Sequence, residues 1–217
     1  MRIGGLQKFS FCDYPGKLSA VIFTQGCNFK CPFCHNGSLL GSAGDSTCIE
    51  TDSVLTFLES RKGKLDGVVI TGGEPTIHRD LDKLIKDIRN LGFAVKLDTN
   101  GSNPDRVRSL ITDGLIDFVA MDVKAPVSKY DILTGTRAPV ESILQSIRLI
   151  SESGLDHEFR TTFVKPLLSD MDIEELCKLI PNGSVHRIQE FNPTHCLNPA
   201  LCSATSAGKS SERFAAL

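Results

Sequence analysis

A chain of 217 residues with 41% hydrophobic content and a formal net charge of −2 carries enough apolar material for one sizeable core, burying roughly 70% of its unfolded surface. The near-balanced, interspersed charge argues against a nucleic-acid or anionic-membrane partner. No apolar run reaches the ~20 residues of a membrane helix, and the opening residues lack the charged-then-apolar pattern of a signal peptide, so the expectation is a cytoplasmic protein.

In chain order, Arg2 to Phe11 reads as a short extended lead-in and Asp13-Tyr14-Pro15-Gly16 as a turn. Leu18 to Thr24 is an apolar, β-branched run between Gly16 and Gly26 and predicts the first strand of a parallel sheet. Gly41 to Cys48 is small and polar and predicts a loop. The chain then alternates. Helix is expected over Asp52 to Arg61, strand over Asp66 to Thr71, and helix where Leu81, Leu84, Ile85, Ile88 and Leu91 share a face, ended by Gly92. Strand follows over Phe93 to Asp98, then an Asn100-Gly101 turn and a helix capped by Asn103 with Pro104 at its first position. Ile116 to Asp122 predicts a strand, Val140 to Ile150 a helix, Asp156 to Val164 a strand, Ile173 to Ile180 a helix and Val185 to Phe191 a strand. Alternation of this kind implies right-handed βαβ units. A closed eightfold barrel takes ~250 residues, so six units here predict a partial, open (β/α)6 barrel, with a doubly wound open sheet as the alternative. Residues 1–202 are expected to form one domain and residues 203–217 a loose tail.

Eight cysteines (12, 27, 31, 34, 48, 177, 196 and 202) are many for a chain read as cytosolic, where metal binding or catalysis is the first explanation. Cys27, Cys31 and Cys34 fall in CNFKCPFCHN with the spacing C-x3-C-x2-C, directly after the first predicted sheet strand. Three thiolates on one short loop suit an iron–sulfur centre. A cubane has four irons, so three ligands leave one iron open, whereas an electron carrier closes that position with a fourth Cys. Zinc completed by His35 is the alternative. It is disfavoured because His35 directly follows Cys34, and the backbone could hardly wrap both onto one ion.

This segment resembles the cluster motif of the radical S-adenosylmethionine (SAM) superfamily, including an aromatic residue, Phe33, before the third cysteine. The resemblance implies a [4Fe–4S] cluster on Cys27, Cys31 and Cys34 whose open iron chelates SAM, and reductive cleavage to methionine and a 5′-deoxyadenosyl radical. Gly72-Gly73-Glu74-Pro75 resembles the family's GGEP motif, with Glu74 accepting from the ammonium of SAM. Asp98-Thr99-Asn100-Gly101 and Asp122-Val123-Lys124 are similar to motifs of the glycyl-radical-enzyme activating enzymes. By that resemblance Lys124 neutralises the SAM carboxylate, Asp98, Thr99 and Asp122 hold its polar groups or a nearby cation, and Arg160 lies close by. Within the activating enzymes the likeness is greatest to the branch acting on anaerobic ribonucleoside-triphosphate reductase, through GGLQKFSFCDYPGKLSAVIFTQGCNFKCPFCHN and RIQEFNPTHCLNP. It implies a glycyl-radical enzyme as protein substrate and a reductant such as flavodoxin or ferredoxin. Two other functions stay open. One is radical SAM chemistry on a small molecule, as in 7-carboxy-7-deazaguanine synthase. The other is an iron–sulfur electron carrier or zinc module.

Of the remaining side chains, Cys177 is expected in the core on the apolar face of its helix. Cys12 and Cys48 are expected to be bystanders. Cys196 and Cys202, beside His195, are a candidate redox pair or auxiliary site. His78, His157 and His186 have no evident constellation and are expected at the surface.

Overall fold

Buried on both faces, the strand β2 (Ser19–Thr24) carries Ala20, Val21 and Ile22 at 0–1% exposure, which is the pattern of a strand covered on two sides. The computed structural model describes residues 1–41, 48–194 and 196–203. Most of the loop expected from Gly41 to Cys48, the tail after Ser203, and His195 lie outside the described residues. Among the described residues seven strands form one sheet in chain order: β1 (Ile3–Ser10), β2, β3 (Gly67–Gly72), β4 (Ala94–Thr99), β5 (Phe118–Asp122), β6 (Asp156–Phe163) and β7 (Val185–Glu190). β1 runs antiparallel to β2, while β2–β3, β3–β4 and β6–β7 are parallel. The order begins with β1 and ends with β7, so the sheet does not close and the open (β/α)6 expectation holds.

The chain divides into two compact units. The first comprises Met1–Asn28, Ser38–Thr99 and Asp105–Ala120. Its helices are α1 (Thr51–Glu59), α2 (Leu81–Asn90) and most of α3 (Pro104–Thr112). The 3- and 4-residue apolar spacing of α2 places Leu81, Leu84, Ile85 and Ile88 at 0–2% exposure, each stabilising by about 1.5–3 kcal/mol. Asp117 secures β4 from the neighbouring loop: its carboxylate accepts from the Val95 N–H (2.8 Å) and from Arg89 (2.7 Å).

The second unit comprises Phe29–Gly37, Asn100–Pro104 and Met121–Leu217. It holds α4 (Tyr130–Thr134), α5 (Val140–Glu152), α6 (Asp170–Cys177) and α7 (Pro199–Ser203). The sequence reading lacked α4 and α7, which are five residues each and too short to show a helical period. It also started the helix near Cys177 three residues late. A capping box starts α6 instead: the Ser169 hydroxyl accepts from the Asp172 N–H (3.3 Å) and the Asp172 carboxylate accepts from the Ser169 N–H (2.7 Å). Gly101 adopts φ +73°, and a Cβ there would lie 2.0 Å from the Met121 methyl, so the Asn-Gly turn requires glycine twice over.

Candidate active site

The residues singled out from sequence sit at the C-terminal ends of strands or in the loops that follow, Arg160 within β6 excepted. Parallel α/β folds build sites at those ends. In the first unit, Cys27 is a partly exposed free thiol three residues beyond β2. The glycines after β3 turn against the chain's own backbone. Gly73 N–H donates to Thr24 O (2.9 Å) and Glu74 N–H donates to Gly26 O (2.9 Å). A Cβ at Gly73 would fall 1.9 Å from Gly26 O, and one at Gly72, where φ is +112°, would fall 2.4 Å from Thr24 N. The neighbour that demands glycine at both positions is the backbone entering the cysteine loop.

That approach sinks Glu74 to 0% exposure. Its Oε1 accepts from the Thr76 N–H (3.0 Å), the Thr76 hydroxyl (2.6 Å) and the Thr99 hydroxyl (2.8 Å). Three neutral donors on one oxygen fix the carboxylate plane. Asp98, on the same strand as Thr99, pairs with Lys96 at 2.6 Å. Lys96 is 1% exposed, and its ammonium lies 5.8 Å from the Phe118 ring centroid. Sequence reasoning missed this lysine. The one available signal was a charge inside an otherwise apolar strand, which can survive burial only if paired.

In the second unit the tight turn Cys31–Cys34 is closed by the Cys34 N–H to Cys31 O bond (3.0 Å). Burial pushes the Cys31 thiol up, while the Lys124 ammonium pulls it down. Phe33 is buried, and the Lys124 ammonium stands 5.9 Å over its ring, a cation–π contact. Asp122 accepts from Arg160 Nε (3.0 Å) and lies 3.4 Å from Lys124 Nζ. Burial alone would raise its carboxyl, but the Arg160 and Lys124 charges outweigh it and hold the pKa at about 2. The hydroxyl of Tyr130, on α4, accepts from the Lys124 N–H (3.1 Å), and burial pushes its pKa to about 12. Thus Phe33, Asp122, Lys124 and Arg160 are brought together in one unit, and Glu74 and Thr99 in the other.

Several expectations for the remaining residues are corrected. Cys177 is half-buried, and its sulfur lies 3.8 Å from His186 Nδ1. His186 is partly buried rather than a surface residue; its Nε2 pairs with the Thr161 hydroxyl (2.9 Å), and burial lowers its pKa. His157 is likewise engaged, at Leu155 O (2.8 Å) and Ser184 Oγ (2.9 Å). His78 is half-buried, and burial lowers its pKa. Cys12 and Cys48 are free thiols, in keeping with the expectation that they are bystanders, and the Cys196 sulfur lies 3.0 Å from Asn198 O. Among the described residues no helix is long and apolar enough to cross a membrane.

Residues 21–180 match the family model of the Radical SAM superfamily. The chain is 38% identical over 197 residues to a Methanocaldococcus jannaschii protein provisionally named a glycyl-radical enzyme activating enzyme, covering 88% of this chain and 80% of that one. A second protein of that organism and provisional name is 30% identical over 188 residues, with 82% and 68% coverage. A Saccharolobus solfataricus protein provisionally named a GTP 3′,8-cyclase is 36% identical over 83 residues, 37% of this chain and 26% of that one. Among solved structures, Streptococcus suis SuiB bound to S-adenosylmethionine matches with a TM-score of 0.63 at 23% identity, over 79% of this chain and 40% of SuiB. The chain therefore spans about two fifths of SuiB, and the likeness is one of fold.

Proposed function

Because the chain belongs to the radical SAM superfamily, we propose that it cleaves SAM reductively at a [4Fe–4S] cluster on Cys27, Cys31 and Cys34 and thereby installs a glycyl radical on a partner protein. The observation that carries this reading is the C-x3-C-x2-C loop leaving β2, in a chain that shares 88% of its length with a relative named for glycyl-radical enzyme activation. The donor set fits the group. All three cysteines are free thiols, and thiolates are the ligands iron–sulfur clusters take.

A [4Fe–4S] cluster held by Cys27, Cys31 and Cys34 would supply the one-electron reduction that splits SAM into methionine and a 5′-deoxyadenosyl radical, the species that would take a hydrogen atom from a glycine Cα of the partner. The chain's own residues position and shield. Glu74, its Oε1 pinned by Thr76 and Thr99, presents a fixed anionic acceptor to the SAM ammonium. Lys124, oriented by Asp122 and by the Tyr130 hydroxyl on its own N–H, meets the SAM carboxylate. Arg160 is held beside it through Asp122. Asp98 and Thr99 take polar groups of SAM, Gly72 and Gly73 bring Glu74 into place, and Phe33 offers an apolar face to the adenosine.

Anaerobic reconstitution with iron, sulfide and SAM, followed by reduction with dithionite or with flavodoxin or ferredoxin, is expected to release 5′-deoxyadenosine. Its absence defeats the reading. Anaerobic ribonucleoside-triphosphate reductase is the partner to try first, and a glycyl electron-spin signal is the expected result. The 83-residue likeness to the cyclase favours a second reading, chemistry on a small molecule. Partner-free turnover of GTP or a deazapurine precursor would decide for it.

A further inference from the structure

The turn carrying Cys31, Phe33 and Cys34 has little regular structure of its own to fix it, yet cluster ligands must hold position to within about 0.5 Å. The segment after β7 supplies that constraint. The Phe191 N–H donates to Phe163 O (3.1 Å), which anchors the segment to β6. The Phe191 ring then lies nearly parallel to the His35 imidazole, with centroids 5.5 Å apart and an interplanar angle of 7°. It also meets Phe33 edge-on, at 6.4 Å and 79°. The His35 Nε2–H donates to Asn192 O (2.7 Å). Farther along, the Leu197 N–H donates to Cys34 O (3.1 Å) and the Asn198 N–H to Pro32 O (2.8 Å). Asn198 Oδ1 accepts from the Ala200 N–H (3.1 Å), which ties the far end to the start of α7. Gly37 makes room for the approach: a Cβ there would come within 3.3 Å of Leu197 Cδ1.

Three hydrogen bonds that use backbone carbonyls and one ring stack therefore join this turn to a segment more than 150 residues away in sequence. The carbonyls of Pro32 and Cys34 are fixed from outside the turn. We propose that residues 191–194 and 196–198 form a clasp on the cysteine turn, with Phe191 and His35 as positioning residues that set where Cys34 and Phe33 stand. The link from that clasp to SAM rests on the function proposed above.

The test uses the full chain as wild type, F191A, F191L, F191Y, H35A and the F191A/H35A pair. In iron-free protein, amide exchange of residues 29–37 in F191A is expected to quicken about tenfold while the central strands stay protected. F191L, which keeps apolar bulk, should also quicken it, and F191Y should restore the wild-type rate. The pair should exceed neither single variant by much, because the two rings act as one contact. After anaerobic reconstitution, the change that SAM causes in the reduced cluster's electron-spin spectrum should be altered in F191A and normal in F191Y. Unchanged exchange in both F191A and F191L, or faster exchange only together with the whole chain, overturns the clasp. Failure of the wild type to cleave SAM defeats the proposed function alone, since the iron-free exchange still tests the clasp.

Discussion

Glu74 and Asp122 are both carboxylates at strand ends, but they are held in opposite ways. Glu74 is fully buried, and its Oε1 is gripped by one N–H and two hydroxyls. Asp122 keeps 37% side-chain exposure between an arginine and a lysine. Neutral donors fix the Glu74 oxygen, whereas cations fix Asp122 and are themselves aimed by it. In the function proposed above, Glu74 takes the ammonium of SAM, and the cations that Asp122 aims take its carboxylate.

That contrast can be broken by removing partners, and the buried region should suffer most. Lys96→Met removes the buried ammonium 2.6 Å from Asp98 and should cost about 3–5 kcal/mol by urea unfolding. Replacing both residues with apolar ones should recover most of it. Glu74→Leu abandons three buried donors and should cost about 3 kcal/mol. Glu74→Gln keeps an acceptor for them, so its melting temperature should stay near wild type while SAM affinity, read by equilibrium dialysis on reconstituted protein, falls about a hundredfold. Equal affinity in Glu74→Gln and wild type would remove Glu74 from SAM recognition.

Smaller effects sharpen the other half. Tyr130→Phe removes the acceptor of the Lys124 N–H and should cost about 1 kcal/mol by thermal unfolding. Asp122 tests the sign of its ion pairs. Its folded pKa of about 2 lies below the ordinary value of about 3.9. Its contribution is therefore present above pH ~4 and lost as pH falls toward 2. Asp122→Asn should flatten the stability–pH curve of the iron-free protein in that window and change little of its slope near neutrality. A curve parallel to wild type between pH 4 and 2 would contradict the pairing.

How far the sequence was legible depended on the range over which each feature is decided. The α2 stripe could be read because Leu81, Leu84, Ile85 and Ile88 bury one face of a single helix. The β2 run could be read because both its faces are covered. The cysteine spacing and the Gly72-Gly73-Glu74 segment were legible for the same reason, being contiguous. Lys96 was not, because its partner Asp98 looked like a site residue and its burial is imposed by neighbouring elements. His157 and His186 were misjudged as surface residues because Ser184 and Thr161, their partners, lie 27 and 25 positions away.

Local pattern alone determined the alternation of strands and helices, the placing of chemistry at strand ends and the presence of a three-thiol loop, since periodicity, turn residues and ligand spacing act within a dozen positions. Tertiary structure alone decided which donors grip Glu74, which cations aim Asp122, and that Phe191 and the backbone of Leu197 and Asn198 reach back to the cysteine turn. Hydrogen bonds and ring contacts depend on distance in space, and nothing in the order of residues encodes a separation of 157 positions closing to 2.7 Å.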